Sequence, residues 1–184
     1  LSGFFEENEK AIDDIYDTLV ADSNNSNLLN RATNGLYTPG STFKVFTLLE
    51  YIRENPNYSD YTYDCEGSIT NEGITIKCAS GRWHGSEDLL SSFANSCNSS
   101  FVNLGLTLDK NKLKNLCESL LFNSDLPLSM SYKSSTFVLD SNSSTFETMQ
   151  TVMGQGKTLI TPIHLAMIAS AIANDGVLMK PYMV

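Results

Sequence analysis

The chain has no run of the ~20 apolar residues that a helix needs to span a bilayer. Its longest helical apolar pattern, Pro162 to Ala173, is interrupted by His164 and Ser170. Basic residues are few: 12 Lys and Arg stand against 21 Asp and Glu, a net charge of −9. That balance argues against nucleic acid and anionic membrane surfaces as partners. Histidine occurs twice, and the four cysteines, Cys65, Cys78, Cys97 and Cys117, form no CxxC pair. The usual zinc spacings are therefore missing, and neither a metal nor a cofactor is expected. No initiator methionine or signal-peptide pattern opens the chain. Leu1 and Val184 both read as cut from something longer.

What is present is globular. The 184 residues are enough for one domain with a real core. A composition of 41% hydrophobic and 18% charged residues excludes a disordered chain. Glu9 to Val20 has helical spacing, with Ile12, Ile15, Tyr16 and Leu19 on one face, and Asp22 to Asn27 reads as a polar loop. Tyr37-Thr38-Pro39-Gly40 makes a turn into a helix from Ser41 to Arg53, whose body is almost wholly apolar and hence buried. Tyr61 to Cys65 and Ile74 to Cys78 read as a hairpin turned at Asn71-Glu72-Gly73. That hairpin would bring Cys65 and Cys78 together. They are then either a disulfide, which implies an oxidising compartment, or two unrelated buried thiols.

Beyond it, Ser86 to Asn95 and Ser99 to Leu106 read as short helices joined at Ser96-Cys97-Asn98, and Asp109 to Phe122 as an amphipathic helix. Leu126 to Ser144 has no period and reads as loop. Thr161 to Asn174 is a helix started by Thr161-Pro162 and stopped by Asn174-Asp175-Gly176, with a β-like tail from Val177. The whole is α-rich with a little sheet.

Two clusters carry chemistry. Ser41-Thr42-Phe43-Lys44 puts a hydroxyl and an amine on one helix face a turn apart. A serine needs a base to become a nucleophile, and a lysine can serve when burial lowers its pKa. The helix start adds the Ser41 amide as one donor for an oxyanion. With 23 Ser and 9 Lys in the chain, about one SxxK is expected by chance, so the tetrapeptide alone decides nothing. The setting does: Pro39-Gly40 gives a sharp entry, and Lys44 sits among Phe43, Val45 and Phe46 with Leu48, not an acid, at i+4. Ser96-Cys97-Asn98 is the second cluster, where a hydroxyl could relay a proton and an amide could hold a carbonyl. Alone it reads as ordinary capping of the next helix. Ser23-Asn24-Asn25 fits the same pattern but lies in a polar loop. Trp83 and His84 read as packing residues.

The segment Leu29-Asn30-Arg31-Ala32-Thr33-Asn34-Gly35-Leu36-Tyr37-Thr38-Pro39-Gly40-Ser41-Thr42-Phe43-Lys44 resembles the active-site serine region of high-molecular-weight penicillin-binding proteins. Ala94-Asn95-Ser96-Cys97-Asn98-Ser99-Ser100-Phe101 is similar to the SxN motif of that family. Met153-Gly154-Gln155-Gly156, Thr161 to Met167 and Ala171 to Gly176 match a further stretch, and the blocks follow in order.

The resemblance implies an α+β fold of the β-lactamase/transpeptidase type. Residues 1–184 would be a partial transpeptidase domain, mostly its helical part, with a small hairpin and the main sheet largely missing. It implies that Ser41 attacks a D-alanyl-D-alanine stem peptide of peptidoglycan, Lys44 accepts its proton, Ser96 passes a proton to the leaving amine and Asn98 binds the substrate amide. β-Lactams would be trapped on Ser41. The parent protein would be anchored in the cell membrane and act on its extracytoplasmic face. A non-catalytic β-lactam sensor and a class D-type β-lactamase are the alternative readings. The family's third motif, K-[ST]-G, is absent. Lys157-Thr158 lacks the glycine and precedes the Thr161-Pro162 helix, so it is read as a decoy, with the true motif expected beyond Val184. The fragment alone is expected to be nearly inert and to self-associate over an exposed apolar face.

Overall fold

The structure, a computed structural model, describes residues 15–17, 19–21 and 26–182. Of the helix read over Glu9 to Val20, residues 15–17 and 19–20 are helical and the remainder lies outside the described residues, as does Ser23-Asn24-Asn25.

A four-residue helix α1 (Arg31–Asn34) is started by Asn30, whose side chain accepts the Ala32 and Thr33 amides. The segment read as one helix from Ser41 begins as a 3-10 turn, Gly40–Phe43, and continues as α2 (Lys44–Glu54). Its buried stripe is Phe43, Lys44, Phe46, Thr47 and Glu50, while Leu48, Leu49 and Ile52 are partly exposed. The expected all-round apolar body is therefore corrected: the inward face carries three polar side chains, each with a partner. Thr47 Oγ1 donates to the Val152 carbonyl at 2.7 Å, and Glu50 pairs with Arg53 at 3.0 Å.

Four four-residue strands follow: β1 (Thr62–Cys65), β2 (Ser68–Asn71), β3 (Ile74–Lys77) and β4 (Gly85–Asp88). The expected hairpin is corrected in its pairing. β3 pairs with β2, in register Asn71↔Ile74, and β1 pairs with β4. Glu72 (φ 48°) and Gly73 (φ 78°) are both left-handed, which suits a two-residue turn and leaves β1 outside that hairpin. Gly67 (φ 85°) makes the break between β1 and β2. Its carbonyl accepts the Cys78 amide at 2.8 Å, and a Cβ there would lie 2.8 Å from the Gly81 carbonyl oxygen.

Helix α3 spans Leu89–Ala94, so the helix read from Ser86 begins three residues late. Asp88 is its N-cap in a reciprocal box with Ser91, and what precedes it is strand. Helices α4 (Asn98–Thr107) and α5 (Lys110–Ser119) follow, the latter capped by Asp109. Leu121 (φ 70°) ends the pattern that the periodicity carried to Phe122. Helix α6 (Thr145–Val152) had no counterpart in the sequence reading; Ser144 and Glu147 form its capping box. Helix α7 (Pro162–Ala173) starts on Thr161, whose hydroxyl accepts the His164 amide. The tail from Val177 is not a strand through residue 182.

The architecture is α+β. Among the described residues, the sheet content is two two-stranded sheets and two isolated bridges, Tyr37↔Ile160 and Thr136↔Leu159. The core centres on Phe43, Phe46, Phe122 and Phe137, with Phe43 and Phe46 centroids 4.9 Å apart. Helix α4 meets α6 at Gly105, where a Cβ would lie 2.5 Å from the Val152 side chain.

Candidate active site

Three segments converge on the amine of Lys44. The residue is 1% exposed, and burial pushes its pKa down from 10.5 to about 8, while Cys97, Cys78 and Glu87 nearby pull it upward. Its Nζ lies 2.6 Å from the Ser96 carbonyl oxygen, 2.7 Å from Asn98 Oδ1, 2.9 Å from Ser96 Oγ and 3.4 Å from Ser41 Oγ. The Phe101 ring lies beneath it, 5.5 Å to the centroid. Two of these neighbours, the carbonyl and Oδ1, can only accept. A neutral amine would give its two hydrogens to them and turn its lone pair toward a hydroxyl, the arrangement a base for Ser41 requires.

Ser96 reaches the amine twice because its backbone is left-handed (φ 51°), an uncommon state for a residue with a Cβ. The flanking bonds hold it there: the Ser96 amide donates to the Phe93 carbonyl and the Cys97 amide to the Ser92 carbonyl, each at 3.0 Å. Asn95 is fixed in turn by Glu87, whose Oε1 accepts from Nδ2 at 2.9 Å. Asn98 donates through Nδ2 to the Lys77 carbonyl at 3.1 Å, which sets the direction of its amide.

Glu87 and Asn95 are the support residues that the sequence reading missed. With Ser86 to Asn95 read as a helix, Glu87 had no reason to face inward. As a β4 residue it is 2% exposed, with exposed Ser86 and Asp88 on either side.

Ser41 stands in the first turn, where amides have no intrahelical acceptor. The loop after α6 clamps this turn from behind. The Gly40 amide donates to the Gly154 carbonyl at 2.8 Å, and a Cβ at Gly154 would fall 1.7 Å from the Gly40 carbonyl oxygen. Beside Ser41, Lys44 and Ser96 opens a cavity of about 490 Å³ with Phe93, Leu165, Ile168 and Ile172 on its walls. The four candidate residues are thus brought together.

The sequence profile of the penicillin binding protein transpeptidase domain matches residues 6–184. The chain belongs to that family. Similar proteins include the peptidoglycan D,D-transpeptidase PbpA of Mycolicibacterium smegmatis, 31% identical over 172 residues, 90% of this chain and 34% of that one. Stage V sporulation protein D of Bacillus subtilis is 32% identical over 149 residues, 79% of this chain and 23% of that one. The penicillin-binding protein A of M. tuberculosis superposes with a TM-score of 0.83 at 27% identity, covering 92% of this chain and 39% of that one. The same protein as a penicillin G acyl-enzyme gives 0.82 at 27% identity, over 91% and 39%. The chain spans about a third of the length of the curated transpeptidases it matches.

Within this penicillin-binding domain, Lys157 lies apart from the four. It lines a different cavity, with Ser144, Glu147 and Gln150, and pairs with Glu147 at 3.0 Å. His164 is structural: buried, it bonds Leu120 through Nε2 and Ser135 through Nδ1, each at 2.7 Å, and burial lowers its pKa. Trp83 does not pack, being 73% exposed, which corrects its reading as a packing residue. His84 is half-buried and lies against the cysteines, with Nδ1 3.2 Å from Cys65 Sγ. The cysteine sulfurs of 65 and 78 do come together, at 3.7 Å, but all four cysteines are free thiols.

Proposed function

We propose that this chain is the nucleophile-bearing part of a peptidoglycan D,D-transpeptidase that cross-links cell wall stem peptides and is acylated by β-lactams. The observation that carries the reading is the placement of Lys44 Nζ between two hydroxyls, Ser41 Oγ at 3.4 Å and Ser96 Oγ at 2.9 Å. Ser41 Oγ attacks the penultimate D-alanyl carbonyl and forms an ester. Lys44 takes the hydroxyl proton. Ser96 passes a proton to the departing D-alanine amine. An acceptor amine then attacks the ester, and Ser41 recovers its hydrogen. Asn98 has a second Nδ2 hydrogen beyond the one given to the Lys77 carbonyl, and this serves a substrate carbonyl. The Ser41 amide is one oxyanion donor.

The transpeptidase names of the relatives and the β-lactam adducts of the solved homologues support this reading over a sensor or a β-lactamase. The full-length protein would be membrane-anchored and act on the extracytoplasmic side, where its substrate lies. The test is intact mass of the full-length protein after incubation with penicillin. One whole penicillin is expected to add to the wild type and none to Ser41→Ala. An adduct that persists in the variant removes Ser41 from the reaction.

A further inference from the structure

Cys97, the middle residue of the Ser96-Cys97-Asn98 turn, belongs to a second cluster. There the donor atoms of Cys65, Cys78, His84 and Cys97 all lie within 4.8 Å of one another. We propose that these four side chains bind one zinc ion and that the ion fixes the turn carrying Ser96 and Asn98.

The geometry is that of a metal tetrahedron. Zn–S bonds of about 2.3 Å and a Zn–N bond of about 2.0 Å give S···S edges of about 3.8 Å and S···N edges of about 3.5 Å. Cys65 and Cys78 are 3.7 Å apart, Cys78 and Cys97 are 3.7 Å apart, and Cys65 Sγ to His84 Nδ1 is 3.2 Å. A disulfide would need about 2.05 Å and would leave one of the three sulfurs without a partner. Three cysteines and one histidine are a complete ligand set for a closed structural site.

The surroundings are those of thiolate ligands. The Gly67 amide donates to Cys65 Sγ and the Ser100 amide to Cys97 Sγ, each at 3.4 Å. Ser99 Oγ lies 3.2 to 3.3 Å from all three sulfurs. Hydrogen bonds onto the ligand sulfurs orient them and spread their charge. Water is kept out, since the three cysteines are at most 3% exposed.

The donors come from four places: the end of β1, the exit of β3, the entry to β4 and the N-cap of α4. Their spacing in sequence matches no short zinc motif, and only the β1–β4 and β2–β3 pairings bring them together. A bound ion would join both small sheets to α4 and hold Cys97, and with it the left-handed Ser96, in one position.

The full-length protein, produced with zinc in the medium and purified under reducing conditions, is expected to carry close to one zinc per chain by elemental analysis. Exchange for cobalt is expected to give the intense visible bands of a tetrahedral thiolate site. Cys78→Ser is expected to lose the metal, His84→Ala to bind it at least tenfold more weakly, and Cys117→Ser, in a different part of the core, to keep it. A wild-type protein without zinc and without a cobalt spectrum would overturn the proposal. The metal count does not depend on whether the domain acylates, so the two proposals fail separately.

Discussion

The helical part built on α2, α4, α5 and α6 buries four phenylalanines in one cluster. The stretch from Thr62 to Asp88 fully buries only Cys65, Gly67, Cys78 and Glu87. Apolar area removed from water at about 25 cal/mol/Å² builds the first region. The second is too thin for that: its strands are four residues long, and a two-stranded hairpin alone is marginal in water. It is held by leaning Ile69, Ile74 and Ile76 on the helical core and by contacts among three sulfurs and an imidazole. Ser41 and Lys44 belong to the first region. The turn that presents Ser96 and Asn98 is anchored in the second, through Glu87, Lys77 and Cys97. A reactive group can thus be packed rigidly by one region and aimed by another.

The comparison breaks most visibly at Lys44. Arginine keeps the charge but does not deprotonate in proteins. Lys44→Arg is therefore expected to slow β-lactam acylation by about 10²–10⁴-fold, the usual contribution of a general base. Circular dichroism is expected to show the same helix content. In the proposed reaction the neutral amine of the wild type is the active form and its share grows with pH, so the acylation rate is expected to rise through a midpoint near 8. Burial brings that midpoint down from 10.5, and the neighbourhood of Cys97, Cys78 and Glu87 pulls it part of the way back. Stability follows the same proton. The unfolded chain holds it up to 10.5 and the folded one only to about 8, so this residue's contribution rises between those values. Unchanged acylation in Lys44→Arg, or a flat pH profile, would make Lys44 a structural neighbour only.

Packing gives the next largest effect. Phe46→Ala is expected to cost about 3–5 kcal/mol of unfolding free energy. Ile76→Ala, half-buried on β3, should cost about 1 kcal/mol. Denaturant titration measures both, and equal losses would erase the distinction between the regions. The smallest effect is expected at Lys157. Its ion pair with Glu147 is exposed, and Lys157→Ala should leave both the unfolding midpoint and the acylation rate unchanged. A large loss of acylation would return Lys157 to the site.

The two regions also differ in how readable they were. The helical one announces itself through long periodic runs, and the Ser41–Lys44 pair could be placed on one helix face from spacing alone. Helix α6 carries its Ser144–Glu147 box in the sequence, but its eight residues span too few turns for an apolar period to stand out. In the strand region, four-residue segments carry too few alternations to fix a partner, so Ile74–Lys77 was given to β1 instead of β2. Glu87 was hidden for the same reason. The sulfur–imidazole cluster was unreadable on principle: its members are brought together by sheet pairing, and spacing rules argued against a metal.

The contact between Gly40 and Gly154 bears on how resistance to acylating inhibitors could arise. A side chain at Gly154 would collide with the backbone that carries Ser41, so substitutions there are expected to disrupt the proposed acylation by substrate and inhibitor alike. The opposite wall offers more room. Leu165, Ile168 and Ile172 line the cavity from α7, and Ile172 is 54% exposed. Selection under β-lactam pressure should therefore accumulate changes along α7 and leave the glycine pair untouched.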